Sequence, residues 1–404
     1  MAFVDRMNAA SDSSWRRTFA AMLSVQFIIA AAFSIVPPVI PLLLPQIGVT
    51  EAHEVGLWAG LVLGVTPLAA GLMSPVWGRL VDTLDRRNII LGACAASAVC
   101  TLLMSLSTSA WQLLTLRFLM GLFGGHIVAV MALTSSISPP SRLGAALGWL
   151  STAQLSGMLL GPLIGGFIAD AFQSYRAPFV AGGCASLFVA LAVLRLPPQV
   201  ATRPAKRTDP SGIFAVVSQY PELLKLIAVL LLVQIAITSV QPIVSLHVSE
   251  LVGPVDNLAT LAGVAFSVIG ISGLIAAPLV GRIGDRIGRR RLLTVVLCGA
   301  AVFTLAQSFA TTYPAFVAER FAAGLFLAGV MPLANSLVAQ GVPEEHRGRA
   351  FGMTGSATFL GGFAGPLSGG VASAYAGVAF VFEGAAVALI LAAIAVHATR
   401  ARAA

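Results

Sequence analysis

A chain of 404 residues with 57% hydrophobic side chains and only 10% charged ones has too little polar surface for a water-soluble fold, so its sequence implies lipid as the main solvent. A net charge of +8 raises nucleic-acid binding, but the bases sit in short loops between apolar runs rather than on one basic face, which argues against it. No nucleophile and base pair, metal-ligand spacing or phosphate loop is evident, so no enzyme chemistry, metal or cofactor is expected.

Runs of about 20 apolar residues each suffice to cross the hydrocarbon as a helix. Twelve are predicted. Six lie at 18–44, 55–77, 88–107, 111–135, 143–169 and 177–196, and six more at 223–248, 258–280, 292–308, 313–340, 350–374 and 378–399. Ser14-Trp15-Arg16-Arg17-Thr18-Phe19 has the look of a twin-arginine export signal, but the apolar run behind it is too long and eleven spans follow, so it reads as an anchor. The polar, proline-bearing stretch 197–221, with Arg203, Lys206 and Arg207, reads as a linker between a six-helix bundle at 1–196 and another at 222–404. When the loops are assigned alternately, 21 lysines and arginines collect on one side and only Arg176 on the other. By the positive-inside rule both termini and the linker are then cytoplasmic. Cys94, Cys100, Cys184 and Cys298 all fall in apolar spans without redox or metal spacing and read as inert packing residues.

The two sets of spans repeat one another. Gly78-Arg79-Leu80-Val81-Asp82-Thr83-Leu84-Asp85-Arg86-Arg87 matches Gly281-Arg282-Ile283-Gly284-Asp285-Arg286-Ile287-Gly288-Arg289-Arg290, and Arg117-Phe118-x-x-Gly121 matches Arg320-Phe321-x-x-Gly324, both at an offset of 203. Gly161-Pro162-Leu163-x-Gly165-Gly166 recurs as Gly365-Pro366-Leu367-x-Gly369-Gly370 at 204. Three matches in one order at one offset indicate a duplicated chain.

These motifs resemble those of the major facilitator superfamily over the whole chain. The loop Gly-x-x-x-Asp-x-x-x-Arg-Arg resembles its signature loop, with Asp85 in place of the usual second glycine and Gly288 keeping it in the second copy. Arg117 with Gly121 resembles the fourth-helix motif, and the run from Gly157 to Gly166 resembles the fifth-helix motif of drug:proton antiporters. The overall pattern, including Gln241-Pro242-Ile243, is similar to the twelve-helix, MdtG-like multidrug efflux branch. The resemblance implies an all-α membrane protein of two pseudo-symmetric six-helix bundles, with spans one, four, seven and ten lining a central cavity. It implies a monomer in the lipid bilayer of the bacterial inner membrane, whose partners are a small-molecule substrate and protons, and proton-coupled efflux of drugs or small amphipathic compounds. Uptake or exchange of a metabolite or sugar-like solute is the alternative, and a transport-dead sensor or membrane enzyme stands last.

Asp82, an acid in a basic loop, is positioned to pair with Arg79, Arg86 and Arg87 and face a helix N-terminus, latching the halves in one state and releasing them in the other. Gly78, Gly281, Asp285 and Arg289 belong to the same gating set, whose bland reading is that basic loops merely obey topology. Gly157, Gly161 and Gly165 line one helix face and admit a close partner, while Pro162 bends the span. Ionisable residues inside spans are the strongest functional pointers. Arg117, Glu319, Arg320 and His126 qualify. Glu319, about 10 Å from the outer end by helical rise, reads either as a proton-carrying carboxylate or as one partner of a structural ion pair, and His126 as a titrating or a packing histidine. Glu383 reads as peripheral. Cavity candidates are Gln26, Phe27, Phe33, Gln154, Gln234, Thr238, Gln241, Phe326, Met331 and Asn335, a set suited to adaptable, largely apolar contacts.

Overall fold

The computed structural model describes residues 2–139, 142–195 and 220–398, which are almost wholly helical and include no strand. The stretch carrying Arg203, Lys206 and Arg207 lies outside the described residues, as do Arg400 and Arg402. Nine helical runs among the described residues are long and apolar enough to cross a membrane. They are spans two (Ala52–Thr83), three (Arg86–Ser105), four (Ala110–Ile137), five (Leu143–Ala171), seven (Glu222–Val252), eight (Leu258–Ile287), nine (Arg289–Phe309), ten (Tyr313–Gln340) and twelve (Val378–Ala398). Thr18–Ser34 and Ala177–Val193, apolar but shorter, supply spans one and six. Span eleven is Arg347–Ala376, whose many glycines, serines and threonines dilute its hydropathy.

Three spans read from sequence as continuous are interrupted, each for a local reason. Span one, helical over Ala2–Ser34, breaks before Ile40–Leu43 because Pro37 and Pro38 supply no backbone donors. Span seven breaks at Gln241–Ile243 around Pro242. Span four is broken between Leu122 and His126, where Gly124 and Gly125 stand. There the Trp77 indole packs against Gly125 and its Nε1–H donates to the freed Leu122 carbonyl at 2.7 Å. In hydrocarbon a backbone acceptor must find such a partner.

Each half has its own apolar core. One cluster joins Val233, Ile243, Leu293, Phe316, Val330 and Phe382 in the second half. Two lie in the first, around Leu43, Val62, Leu113 and Phe179 at one end, where Ala259 of span eight joins the cluster, and around Met22, Ile90, Leu133 and Val193 at the other. Cys94 and Cys100 are buried in this packing, but Cys184 and Cys298 lie on outward faces of spans six and nine, where lipid rather than protein covers them.

Within each half, glycines admit a neighbouring backbone. Gly157, Gly161 and Gly165 of span five receive span one at Phe27, Ala31, Ser34 and Ile35, and the Ser34 hydroxyl donates to the Gly157 carbonyl at 3.1 Å. Gly361, Gly365 and Gly369 of span eleven receive span seven at Gln234, Thr238 and Ser239, and Thr238 Oγ1 donates to the Gly361 carbonyl at 2.9 Å. The second contact is the first displaced by 204 residues.

A different set of glycines joins the halves. Span two lays Gly56, Gly60 and Gly64 against Ser373, Gly370, Pro366 and Phe363 of span eleven. Span eight lays Gly263 and Gly270 against Pro162 and Leu159 of span five, and Ser267 Oγ donates to the Leu159 carbonyl at 2.6 Å. Both seams run from the end bearing the loop 172–176 towards the other end, and there they stop. Gly78, Gly144, Gly148, Gly281, Gly348, Gly352 and Gly355 have open space beside them. The halves are therefore closed at one end and parted at the end that carries Asp82.

A side chain at Gly60 has nowhere to go, since a Cβ there meets the Pro366 carbonyl and the Gly370 backbone. Gly60→Val is expected to wedge the closed end open. In a protein whose native cysteines have been replaced, it should raise aqueous maleimide labelling of a cysteine placed at Ser373; unchanged labelling would refute the seam.

Candidate functional site

The closed end is held by polar contacts between the halves. Asp170, in the last turn of span five, accepts hydrogen bonds from the backbone N–H groups of Thr260 at 2.6 Å and Ala259 at 3.2 Å, the first turn of span eight. A carboxylate on a helix N-terminus satisfies orphan donors and meets the positive end of the dipole. Gly166, one turn back, lets the Ala259 carbonyl approach. Ser245 of span seven donates to the Pro38 carbonyl at 2.6 Å, tying the breaks in spans one and seven together. Tyr175, in the loop beside Asp170, has its phenol pushed above the ordinary range, first by burial and then by the Asp170 charge. Sequence reasoning missed Asp170; its signal is an acid ending an apolar span where topology asks for none.

At the parted end the two signature loops differ. Asp82 makes no hydrogen bond or ion pair among the described residues, whereas Asp285 accepts from Arg289 Nη2 at 3.2 Å and Arg289 Nη1 donates to Ser336 of span ten at 2.6 Å. The position of Ser336 in the first half is Leu133, which offers Arg86 no acceptor. The final arginine of each motif does the same work in both halves. Arg87 Nη2 donates to the Leu194 carbonyl ending span six at 2.7 Å, and Arg290 Nε donates to the Val396 carbonyl ending span twelve at 2.8 Å. Asp85, which departs from the family glycine, caps span three by accepting from Arg87 N at 2.9 Å. Its counterpart Gly288 turns the chain instead with φ +90°, a conformation that favours glycine. The difference between Asp85 and Gly288 is thus between two ways of starting a helix.

Arg117 and Arg320 are both 4% exposed. Arg320 is fully engaged: Nε donates to the Ala265 carbonyl of span eight at 2.6 Å, Nη1 to Gln307 Oε1 at 3.2 Å, and the guanidinium lies 5.5 Å from the Phe316 ring centre. Met104 stands where Gln307 stands, and Nε and Nη2 of Arg117 are buried without acceptors. Glu319 pairs with neither arginine; among the described residues it makes no ion pair, and its Oε2 is buried without a partner. Its electrostatic neighbour is His247 of span seven, a residue the sequence reading passed over. His126 opens the second segment of span four with its ring 5.7 Å from that of Phe33, far in sequence and in the opposite half from Glu319.

The cavity candidates divide. Gln26, buried with Oε1 unpaired, and the half-buried Phe27, Phe33, Gln154, Gln234, Gln241, Met331 and Asn335 lie on spans one, five, seven and ten. Thr238 spends its hydroxyl on the contact with span eleven, and the Gln234 stem packs on Gly361. Phe326 turns towards span nine, against Gly299 and stacked on Phe303 at 5.7 Å, so it serves the core of the second half.

A family model described as the Major Facilitator Superfamily matches residues 22–273 and again 229–403, the second match beginning inside the duplicated half. The chain belongs to the major facilitator superfamily. It is 33% identical over 365 residues to multidrug resistance protein MdtG of Serratia proteamaculans, spanning 89% of this chain and 88% of that protein. It is 34% identical over 364 residues to MdtG of Salmonella arizonae, spanning 89% and 90%. Among solved structures, the nucleoside transporter NupG superposes with a TM-score of 0.79 at 12% identity, covering 95% of this chain and 99% of that one. A bacterial homologue of the human lysosomal transporter Spinster superposes with a TM-score of 0.76 at 15% identity, covering 95% and 96%. The protein is a multi-pass membrane transporter of small molecules and not an enzyme.

For this transporter the Asp170 contact sets the strength of the closed end. Asp170→Asn removes the charge and leaves one acceptor oxygen for two backbone donors at a half-buried site, which should cost about 1 kcal/mol and shift the closed-to-open ratio of that end roughly five-fold. Distance distributions between spin labels on spans five and eight would register this as a longer population; an unchanged distribution would show that Asp170 holds nothing.

Proposed function

We propose that this chain is a proton-coupled exporter of drugs or small amphipathic compounds, set in the bacterial inner membrane as a monomer with both termini cytoplasmic, and working by alternating access. The observation that carries the reading is the unequal state of the two ends: Asp170 caps span eight across the halves, while Asp82 makes no hydrogen bond or ion pair among the described residues. With the arginine-rich loops cytoplasmic, this is an inward-facing state, in which a solute enters between the halves from inside. Asp82 is then the resting half of a latch that engages once the Asp170 end opens.

The multidrug resistance named for the MdtG relatives favours export of chemically diverse compounds. Gln26, Phe27, Phe33, Gln154, Gln234, Gln241, Met331 and Asn335 are the contacts assigned to such solutes. Glu319 is assigned the coupled proton, because a carboxylate oxygen buried in a span without a partner is far easier to hold protonated than charged. Arg117, buried with unpaired nitrogens, supplies a fixed positive charge in the opposite half.

Proteoliposomes with an imposed pH gradient test the reading, with the zwitterion norfloxacin and the lipophilic cation ethidium as probes. An exporter should accumulate at least one of them against its gradient, with matching proton release reported by a pH dye. Glu319→Gln is expected to abolish gradient-driven accumulation. Coupling that survives this substitution would remove Glu319 from the proton path, and a wild-type protein indifferent to the gradient would remove proton coupling altogether.

A further inference from the structure

We infer that His247 is the proton relay of this transporter, passing protons between water at the closed end, through Glu250, and the part-buried Glu319 of span ten. The inference rests on the proton-coupled reading above and adds to it the route by which Glu319 is reached.

His247 lies in Val244–Val252, the segment of span seven beyond the break at Pro242, and is 7% exposed. One ring nitrogen, Nδ1, lies 3.4 Å from Glu250 Oε2. Glu250 is open to solvent, its side chain 60% exposed. The other nitrogen, Nε2, is buried with no hydrogen-bond partner. An imidazole lodged in an apolar wall normally satisfies both nitrogens, so an orphan there asks for an explanation. The wall is Phe316 of span ten, its ring 4.8 Å away, and Phe382 of span twelve, at 5.4 Å, both edge-on. These rings fix the plane of the imidazole and exclude water from its sides. Glu319 follows Phe316 by three residues, on the same face of span ten, and lies within electrostatic range of the imidazole. Its Oε2 is the other orphan. Water meets an acid, the acid meets one nitrogen of a histidine, and the other nitrogen and Oε2 of Glu319 are left as two buried, unbonded polar atoms within electrostatic range.

Besides Glu319, the charged groups closest in sequence to Phe316 and Phe382 are Arg320 and Glu383. Arg320 turns its guanidinium to the Ala265 carbonyl and Gln307. Span eight carries no ionisable side chain from Leu258 to Val280, and the stretch 35–50 that packs beside the segment carries none. Glu383, next to Phe382, is the remaining acid of span twelve.

The duplication gives an independent argument. At the matching positions of the first half stand Leu43 and Leu44 for His247, Gln46 for Glu250 and Leu116 for Glu319. All three members of the path are titratable in one half and none in the other. A purely structural histidine would not require acids on both sides.

The relay moves a proton without net chemistry. The imidazole takes a proton on one nitrogen and gives one up from the other, so each transfer exchanges its tautomer, and a half-turn of the ring, which returns it to the same plane, restores it. Full-length protein in proteoliposomes, loaded with a pH dye and assayed with norfloxacin and ethidium, tests this by comparing gradient-driven with equal-pH exchange rates for each variant. His247→Gln should lower the ratio about ten-fold and flatten its dependence on the pH of the Glu250 side, while Glu250→Gln shifts that dependence and leaves its slope. In parallel, the His247 signal of histidine-labelled protein, assigned by its loss in His247→Gln, should change in Glu319→Gln. An unchanged ratio in His247→Gln beside an uncoupled Glu319→Gln overturns the relay and spares the proton site. Coupling that persists in Glu319→Gln overturns the reading beneath it. If neither probe is moved, a His247 signal unchanged by Glu319→Gln overturns the relay by itself.

Discussion

Helices surrounded by hydrocarbon gain little from burying apolar surface against one another, because lipid is as apolar as leucine. What holds them is close approach, and in this protein backbones approach at glycine. Gly157, Gly161 and Gly165 bring span one onto span five, and Gly361, Gly365 and Gly369 bring span seven onto span eleven. Each contact adds a hydroxyl that crosses the interface, Ser34 in one half and Thr238 in the other. Each half is thereby made rigid enough to move as a body. The seams between halves use other glycines, Gly56, Gly60 and Gly64 on span two and Gly263 and Gly270 on span eight, and engage along only part of their length. Rigid halves joined by a partial seam are what alternating access requires mechanically.

The two ends each carry a carboxylate, and the two stand differently. Asp170 is engaged on span eight, and Asp82 is free of any partner among the described residues. Two rigid bodies that pivot about a shared seam cannot close both ends at once, so under the proposed latch a carboxylate on each end would bias the pivot in opposite directions. The loop arginines have a quieter task than latching. Arg87 and Arg290 tie the last carbonyls of spans six and twelve back to their own halves, giving orphan acceptors the partners that lipid and loops withhold.

Duplication also shows where function was added. Positions that serve the scaffold repeat: Arg117 with Arg320, Gly121 with Gly324, Pro162 with Pro366. Positions that differ are of two kinds. Asp85 and Gly288 solve one local problem by different means, a side-chain cap and a left-handed turn. Glu319 opposite Leu116, and His247 opposite Leu43 and Leu44, place titratable groups in one half alone. The buried arginines diverge in their surroundings: Gln307 and the Ala265 carbonyl satisfy Arg320, while Arg117 keeps unpaired nitrogens.

Much of this was legible in the residues alone. Twelve apolar runs, the offset of 203 to 204, the family motifs and the glycine spacing in span five follow from composition and periodicity, because lipid demands helices of one length and close contact demands small residues. The breaks in spans one and seven were present as Pro37-Pro38 and Pro242 and were read past. Other features needed the folded chain. Periodicity along a helix says which residues share a face, but in a solvent as apolar as the protein interior it does not say which neighbour covers that face. That is why Phe326 and Thr238 were expected in the cavity and serve packing, and why Glu319 was expected to meet an arginine and has instead His247 as its electrostatic neighbour, 72 residues away in sequence. The residues of this chain determined by themselves that it spans a membrane in two related halves; tertiary structure decided which acids meet which partners, because those encounters are made between helices and leave no periodic trace along any one of them.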